Sequence, residues 1–532
     1  MALIPVDKLG QVGIVKDIAP FQLPPNAWSD GNNIRVEHGA IIKSPGYASV
    51  IATCPIAPYY ITQLKAGGAA YWIVGGLAKI YVHNGTTWTD ITRTSGDYST
   101  TADENWMSTV IGGVLVMTNN VDDPQEWPLT SGVPSVSTKM QDLANWPASV
   151  ECKSIRSFRS FLIGLNITKS SVPNSRVVKW STEAPINAVP VSWDENSATV
   201  DAGEYSLEDT KGAILDGLPL QDAFMIYKED SIYSMTYVGT PFIFSFRQLS
   251  PTVGILAKNC VTEFDGGHFI FGNGDMYIND GQRIKSLLPH KMRDYIFSYI
   301  DGDKYNRSFC VTDYNRSEVL ACFPSSDNQS GQCDKALVWN WVDDVFSIRD
   351  IPDLGYIAYG TIGNEEALTT WAAATPTWTT VDGPWASNWN LVENVLVFAS
   401  PTNTKIYRDR VGYQADGVNM VSYIQRTGYT MDENNNPDQS TVKHISAVWP
   451  KMTIDKDDTV TFMIGTQMST EEAVTWGKPI EFNPDTQSKV SCRATGKLYS
   501  IHIESNNDSE WRLEGLEFEV QNVGRRGSRM EQ

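Results

Sequence analysis

Short apolar runs, each closed by a Gly, Asn or Asp turn and answered by a second run ending in an aromatic residue, recur from about residue 50 to about residue 410. The clearest are Tyr71-Trp72-Ile73-Val74, followed by Ile80-Tyr81-Val82-His83-Asn84-Gly85 and Trp88, and Phe269-Ile270-Phe271, followed by Met276-Tyr277-Ile278-Asn279. Further copies start at Val114, Phe161, Phe224, Val319 and Val395, at intervals of roughly 40 to 80 residues, which is the spacing of propeller blades with insertions. Sheets of about four strands set around an axis bury their faces on one another and leave only short edges, so the repeat predicts a β-propeller-like domain over residues 51–410.

The two ends of the chain read differently. Residues 1–50 begin with a Pro-rich stretch, Ala19-Pro20-Phe21-Gln22-Leu23-Pro24-Pro25, which cannot join a helix and predicts an extended arm. Ile34-Arg35-Val36, a turn at His38-Gly39, and Ala40-Ile41-Ile42-Lys43 predict a β-hairpin after it. Residues 411–532 contain Ile445–Trp449, Val460–Ile464, Leu498–Ile503 and Trp511–Val520, strands of alternating polarity that predict a β-sandwich followed by the basic Gly524-Arg525-Arg526 tail. One helix is expected, from Leu288 through Pro289 to Ile296, as a connector. The fold class is therefore all-β.

Composition agrees: the chain has 532 residues, long enough for about two to four cores, with 17 Trp, 22 Tyr, 40 Gly and 27 Pro, favouring pleated sheets and tight turns. A net charge of −20 argues against a broad basic face that grips phosphates. Seven cysteines without a Cys-x-x-Cys pair read as scattered thiols in a reducing cytoplasm. The opening Met1–Asp7 lacks the pattern of a secretory signal, and the apolar window near Tyr71–Val82 is broken by Gly75-Gly76 and Lys79, so no membrane span is expected.

No set of residues spells out a reaction. Thr380-Val381-Asp382-Gly383-Pro384-Trp385 has the residue types of a sialidase Asp-box, but too closely spaced and only once; a turn with a packing Trp accounts for it. Adjacent acids such as Asp122-Asp123 and Asp343-Asp344 sit in turn contexts. The loop Asp432–Asp438 lacks the Gly and terminal Glu of an EF-hand, and the six His are unclustered. No cofactor, metal site or enzymatic activity is expected.

Two stretches at opposite ends carry a resemblance. Leu23-Pro24-Pro25-Asn26-Ala27-Trp28-Ser29-Asp30-Gly31-Asn32-Asn33-Ile34-Arg35, continuing through Gly39-Ala40-Ile41-Ile42-Lys43-Ser44-Pro45-Gly46, resembles the opening arm and hairpin of tail nozzle or hub proteins of short-tailed, podovirus-like bacteriophages. Trp511-Arg512-Leu513-Glu514-Gly515-Leu516, with Arg525 and Arg526 beyond it, is similar to their last strand and tail.

The resemblance implies a non-enzymatic structural subunit of the virion tail, assembled in the host cytoplasm. Six copies would form a ring below the portal-adaptor, enclosing the channel for genome retention and ejection and supporting fibres or spikes. Double-stranded DNA would pass an acidic lumen without sequence-specific binding. Pro24, Pro25, Trp28, Asp30, Asn32 and Arg35 are the assembly-arm residues on this reading, and Trp511, Arg512, Arg525 and Arg526 the C-terminal docking residues. Residues 1–47 are then expected to brace a subunit boundary, so that their truncation blocks assembly and leaves the propeller folded. The alternative is a glycan-binding or glycan-cleaving propeller for host recognition, suggested by the many Trp and Tyr.

Overall fold

The structure, a computed structural model, describes residues 2–524 apart from 52, 198, 363–393 and 456. Seven antiparallel sheets follow one another along residues 60–90, 107–142, 150–206, 214–250, 261–286, 309–354 and 356–409, and we number them blades 1 to 7. All seven apolar runs picked out by sequence become the second strand of a blade, as in Val114–Thr118, Gly267–Phe271 and Glu318–Phe323, which are buried at every position. The reason is geometric: a second strand has sheet neighbours on both edges and adjoining blades on both faces, so no position needs to be polar.

The first strand of each blade lies innermost, and these strands join in a closed ring. The Tyr60 and Ser108 hydroxyls meet at 3.0 Å between blades 1 and 2, and those of Thr109 and Ser157 at 2.9 Å between blades 2 and 3. Ser154 Oγ donates to the Leu215 carbonyl at 2.6 Å, the Asn259 amide to Asp216 at 3.1 Å, and Thr262 meets Thr312 at 2.9 Å. Phe309 packs on Tyr356 with ring centroids 5.0 Å apart, and Gln63 Nε2 of blade 1 closes the circle by donating to the Thr361 carbonyl of blade 7 at 2.7 Å.

Blade 7 is completed from the other end of the chain. Its strands Tyr356–Thr361, Asn394–Ser400 and Lys405–Asp409 are joined by Tyr47–Ser49, which pairs antiparallel with Lys405–Asp409. The N-terminal segment thus clasps the propeller shut, and residues 47–49 belong to it despite lying before residue 51.

The N-terminal segment, expected to run extended over another surface, lies on the C-terminal strands of its own chain. Ala2–Asp7 and Ala40–Lys43 both pair with Trp511–Gly524, and Ile34–Glu37 pairs with Ala40–Lys43, extending the sheet that holds Val442–Ile454 and Val490–Gly496. Asp30–Asn32 joins the facing sheet beside Ser422–Tyr429, Leu498–Ser505 and Val460–Gln467. The sandwich is therefore built from both chain ends. Its core, including Val6, Trp28, Ile41, Phe462, Ile501, Leu513 and Phe518, is continuous with that of blades 4 to 6.

Two local expectations meet different outcomes. The His38-Gly39 hairpin turn forms, with both residues at positive φ (52° and 78°) as a tight two-residue hairpin demands. The helix starts later than expected, at Arg293, and ends at Tyr299, because His290 at φ 61° and Met292 at φ −150° break the helical path. The freed Lys291 carbonyl accepts the amides of Lys16 and Asp17 at 2.7 and 3.1 Å, a tertiary contact that local periodicity does not contain.

Gly46 leads into the clasp strand, and a Cβ there would lie 2.0 Å from the Gln414 carbonyl oxygen. Because backbone cannot swing aside like a side chain, Gly46→Ala is expected to cost at least the ~1–3 kcal/mol of core overpacking. Denaturant unfolding of the variant measures it.

Candidate functional site

Both resemblance stretches fall in the platform made by the chain ends, where Ile41 and Ile42 pair with Leu513 and Arg512. The side chains expected to reach a neighbour are largely spent within the chain. Trp28 is buried and its indole donates to the Leu9 carbonyl at 2.8 Å. The Pro25 carbonyl accepts the Tyr429 hydroxyl at 3.1 Å, and the Pro24 carbonyl accepts the Ala27 amide at 3.1 Å.

Asp30 pairs with Lys16 at 2.7 Å, Asn32 Nδ2 donates to Asp350 at 2.7 Å, and Arg35 Nε donates to Glu318 at 3.1 Å. Trp511, also buried, donates its indole proton to Ser422 Oγ at 2.8 Å, while Arg512 pairs with Glu514 at the surface. Arg525 and Arg526 lie outside the described residues, as do Thr380–Trp385. Trp28 and Trp511 are thus engaged within the platform, and Asn32 and Arg35 reach from it to blade 6 of the same chain.

Sequence reading missed the seam that locks this platform to the propeller. Asn33, at φ 53° and 1% exposed, donates from Nδ2 to Asp350 and to the Val421 carbonyl, both at 2.8 Å, and accepts the Asp350 amide at its own Oδ1, also at 2.8 Å. Beside it lies a buried charge network. Arg349 pairs with Asp409 at 2.5 Å and donates to the Pro45 carbonyl at 3.0 Å. Arg410 pairs with Asp313, and Arg35 with Glu318.

Burial raises the Glu318 carboxyl above its ordinary range, with Arg35 and Arg316 pulling the other way. Burial likewise disfavours the Arg349 guanidinium, but Asp409 more than offsets it, and the net shift is upward. Such a network fixes register and orientation between two bodies more than it adds stability. Its members lie as far apart in sequence as Arg35 and Glu318, separated by 283 positions, so no local signal announces them.

Elsewhere, Asp122, Asp344, Asp432 and His268 have structural partners. Asp122 holds Arg93 at 2.7 Å and accepts the Ser99 amide, while Asp344 accepts the Trp339 indole proton. In the 432–438 loop, Asp432 accepts the amides of Asn434 and Asn436, both at 2.9 Å. His268 sits between the Tyr227 hydroxyl at 2.6 Å and the Pro219 carbonyl at 2.9 Å, and burial lowers its pKa to about 4, so it is neutral. Among the described residues no helix is long and apolar enough to cross a membrane.

No family model matches this chain, and no curated protein does. Among solved structures it is similar to PorZ, a bacterial surface component of the type IX secretion system of Porphyromonas gingivalis, at 8% identity and a TM-score of 0.35, over 84% of this chain and 60% of that one. It is also similar to the AfRom2 CNH domain, at 9% identity and a TM-score of 0.32, over 69% of this chain and 97% of that domain.

Proposed function

We propose that this chain is a non-enzymatic structural subunit of the nozzle or hub ring of a short-tailed bacteriophage, docking below the portal-adaptor and enclosing the channel through which the genome leaves. One observation carries the reading: the two stretches that resemble nozzle proteins, separated by more than 450 positions in the chain, are hydrogen-bonded neighbours in one sheet through Ile41–Leu513 and Ile42–Arg512. A docking motif divided between the ends of a chain is usable only if the fold reunites it.

The charge is consistent with this role. With 62 acidic against 42 basic residues, the surface lacks the counterion-release affinity that would hold passing DNA. The seam then gives the platform a fixed angle to the propeller, as a ring of about six identical heterologous contacts requires in order to close.

Electron microscopy of the purified chain, alone at high concentration and with its portal and adaptor, tests the reading. Six-fold rings with an open channel, seated on the adaptor through the platform, are the expected result. Monomers that ignore the adaptor would remove it.

A further inference from the structure

The mouth of the propeller axis opens into a cavity of about 640 Å³ near the start of the innermost strands, lined by residues of blades 3 to 7 and of the segments that join the blades, Asp103 and Asn105 ahead of blade 2 among them. The segment between blades 5 and 6 roofs it: the Arg293–Tyr299 helix supplies Phe297, and the short 3-10 turn Tyr305–Arg307 supplies three consecutive wall residues. A cavity of this size falls within the ~300–1,000 Å³ range of small-molecule sites.

Its wall carries three basic side chains, Lys153, Lys258 and Arg307, against two acids, Asp103 and Glu229, in a chain that is acidic as a whole, and Glu229 accepts the Ala213 amide at 3.1 Å. Lys258 is 8% exposed, and its ammonium donates to the Asn105 carbonyl. Among the described residues it has no ion-pair partner within the wall, and neither does Lys153. The charges around Lys258 are Glu104, Lys153, Asp216 and Arg156. Asp216 is held by Arg156 through contacts of 3.0 and 2.8 Å, and Glu104 is engaged with the Asn120 amide at 3.1 Å. Arg307 on the roof is neutralised by Asp103 at 2.7 Å.

A buried ammonium with three donors and one protein acceptor is an expensive arrangement unless an anion completes it. Burial lowers its pKa to about 8, Glu104 only partly offsetting this, so it remains largely protonated at neutral pH. Asn273 and Asn306, both exposed in the wall, make no side-chain hydrogen bonds among the described residues, and Tyr305 beside them is 44% exposed. Amides suit hydroxyl groups, and an exposed aromatic ring suits the apolar face of a sugar.

We propose that this axial cavity binds a carboxylate-bearing sugar, with Lys258 and Lys153 taking the carboxylate, Asn273 and Asn306 the hydroxyls, and Tyr305 the ring. The site is independent of ring assembly, so each can fail without the other.

Titration calorimetry on the full chain with glucuronic, galacturonic and sialic acids, each against its methyl ester, is the test. At least one acid should bind about tenfold or more tightly than its ester, and Lys258→Gln should lose a similar factor, the worth of a charge-assisted hydrogen bond. Affinity should fall as pH rises from about 7 to about 9, because the ammonium required for binding is lost across its pKa. If Lys258→Gln melts below the parent chain, Lys153→Gln and Asn306→Ala on the open wall decide instead. Equal binding of acid and ester, no binding of any acid, or wall variants that bind like the parent would overturn the proposal.

Discussion

Removal of residues 2–49 is expected to abolish cooperative folding of the whole chain, propeller included. The deletion takes Ala2–Asp7, Asp30–Asn32, Ile34–Glu37 and Ala40–Lys43 out of the sandwich and Tyr47–Ser49 out of blade 7. Trp511–Gly524 loses two edge partners, Lys405–Asp409 becomes an open edge, and buried Trp28, Ile34, Ile41 and Ile42 disappear from the core.

At ~1.5–3 kcal/mol for each large apolar side chain, the lost burial rivals the ~5–15 kcal/mol net stability of a typical domain. Truncation should therefore yield aggregation or a broad, non-cooperative melt with dye-accessible apolar surface, measured by calorimetry and dye binding. A sharp transition in the truncated chain would mean that the clasp is dispensable. The strand pairing favours this outcome over the sequence-based expectation that truncation blocks assembly and spares the propeller, because the segment pairs first within its own chain.

The second large effect is expected from Asp409→Ala. Asp409 is 2% exposed at its side chain, and Arg349, 6% exposed, faces it. Removing the carboxylate leaves the buried guanidinium with the Pro45 carbonyl as acceptor, the Phe398 ring face 5.7 Å away, and only the more distant Glu318, itself paired with Arg35, to offset its charge. Breaking a buried pair from one side costs about 3–5 kcal/mol, whereas replacing both members with apolar residues of similar volume is often neutral.

The double variant Arg349→Met with Asp409→Leu should thus recover most of the loss. Chemical denaturation of the single and double variants separates the two cases. A double variant as unstable as the single one would show that the pair contributes attraction beyond its own desolvation.

The repeat of apolar runs is legible in the amino-acid sequence because burial on both faces writes an unbroken hydrophobic string into each blade's second strand, as in Val395-Leu396-Val397-Phe398. The His38-Gly39 turn is legible because its backbone tolerates few residue types. Alternation in Trp511–Val520 likewise announces a strand with one buried face. These signals are local: side-chain period and turn stereochemistry are settled by residues a few positions apart.

Partnership is not local. The edge of Trp511–Gly524 offers generic backbone donors and acceptors, so nothing in its alternation names Ala2–Asp7 and Ala40–Lys43 as the strands that fill it. The Pro-rich opening reads as an arm extended over another surface, because proline disfavours helix, but without specifying which surface. Arg426, 406 positions beyond Pro20, supplies that surface by donating to the carbonyls of Pro20 and Leu23 at 2.6 and 2.9 Å. The buried Lys258 is equally silent in sequence, since only the ring of blades desolvates it. Sequence alone thus determined the all-β class, the repeating hairpin and the alternating terminal strands; tertiary structure alone decided which strands of the two chain ends pair, that the first end clasps blade 7, and which charges lie buried, because those outcomes depend on which long-range pairings bury the most apolar surface with every backbone group satisfied.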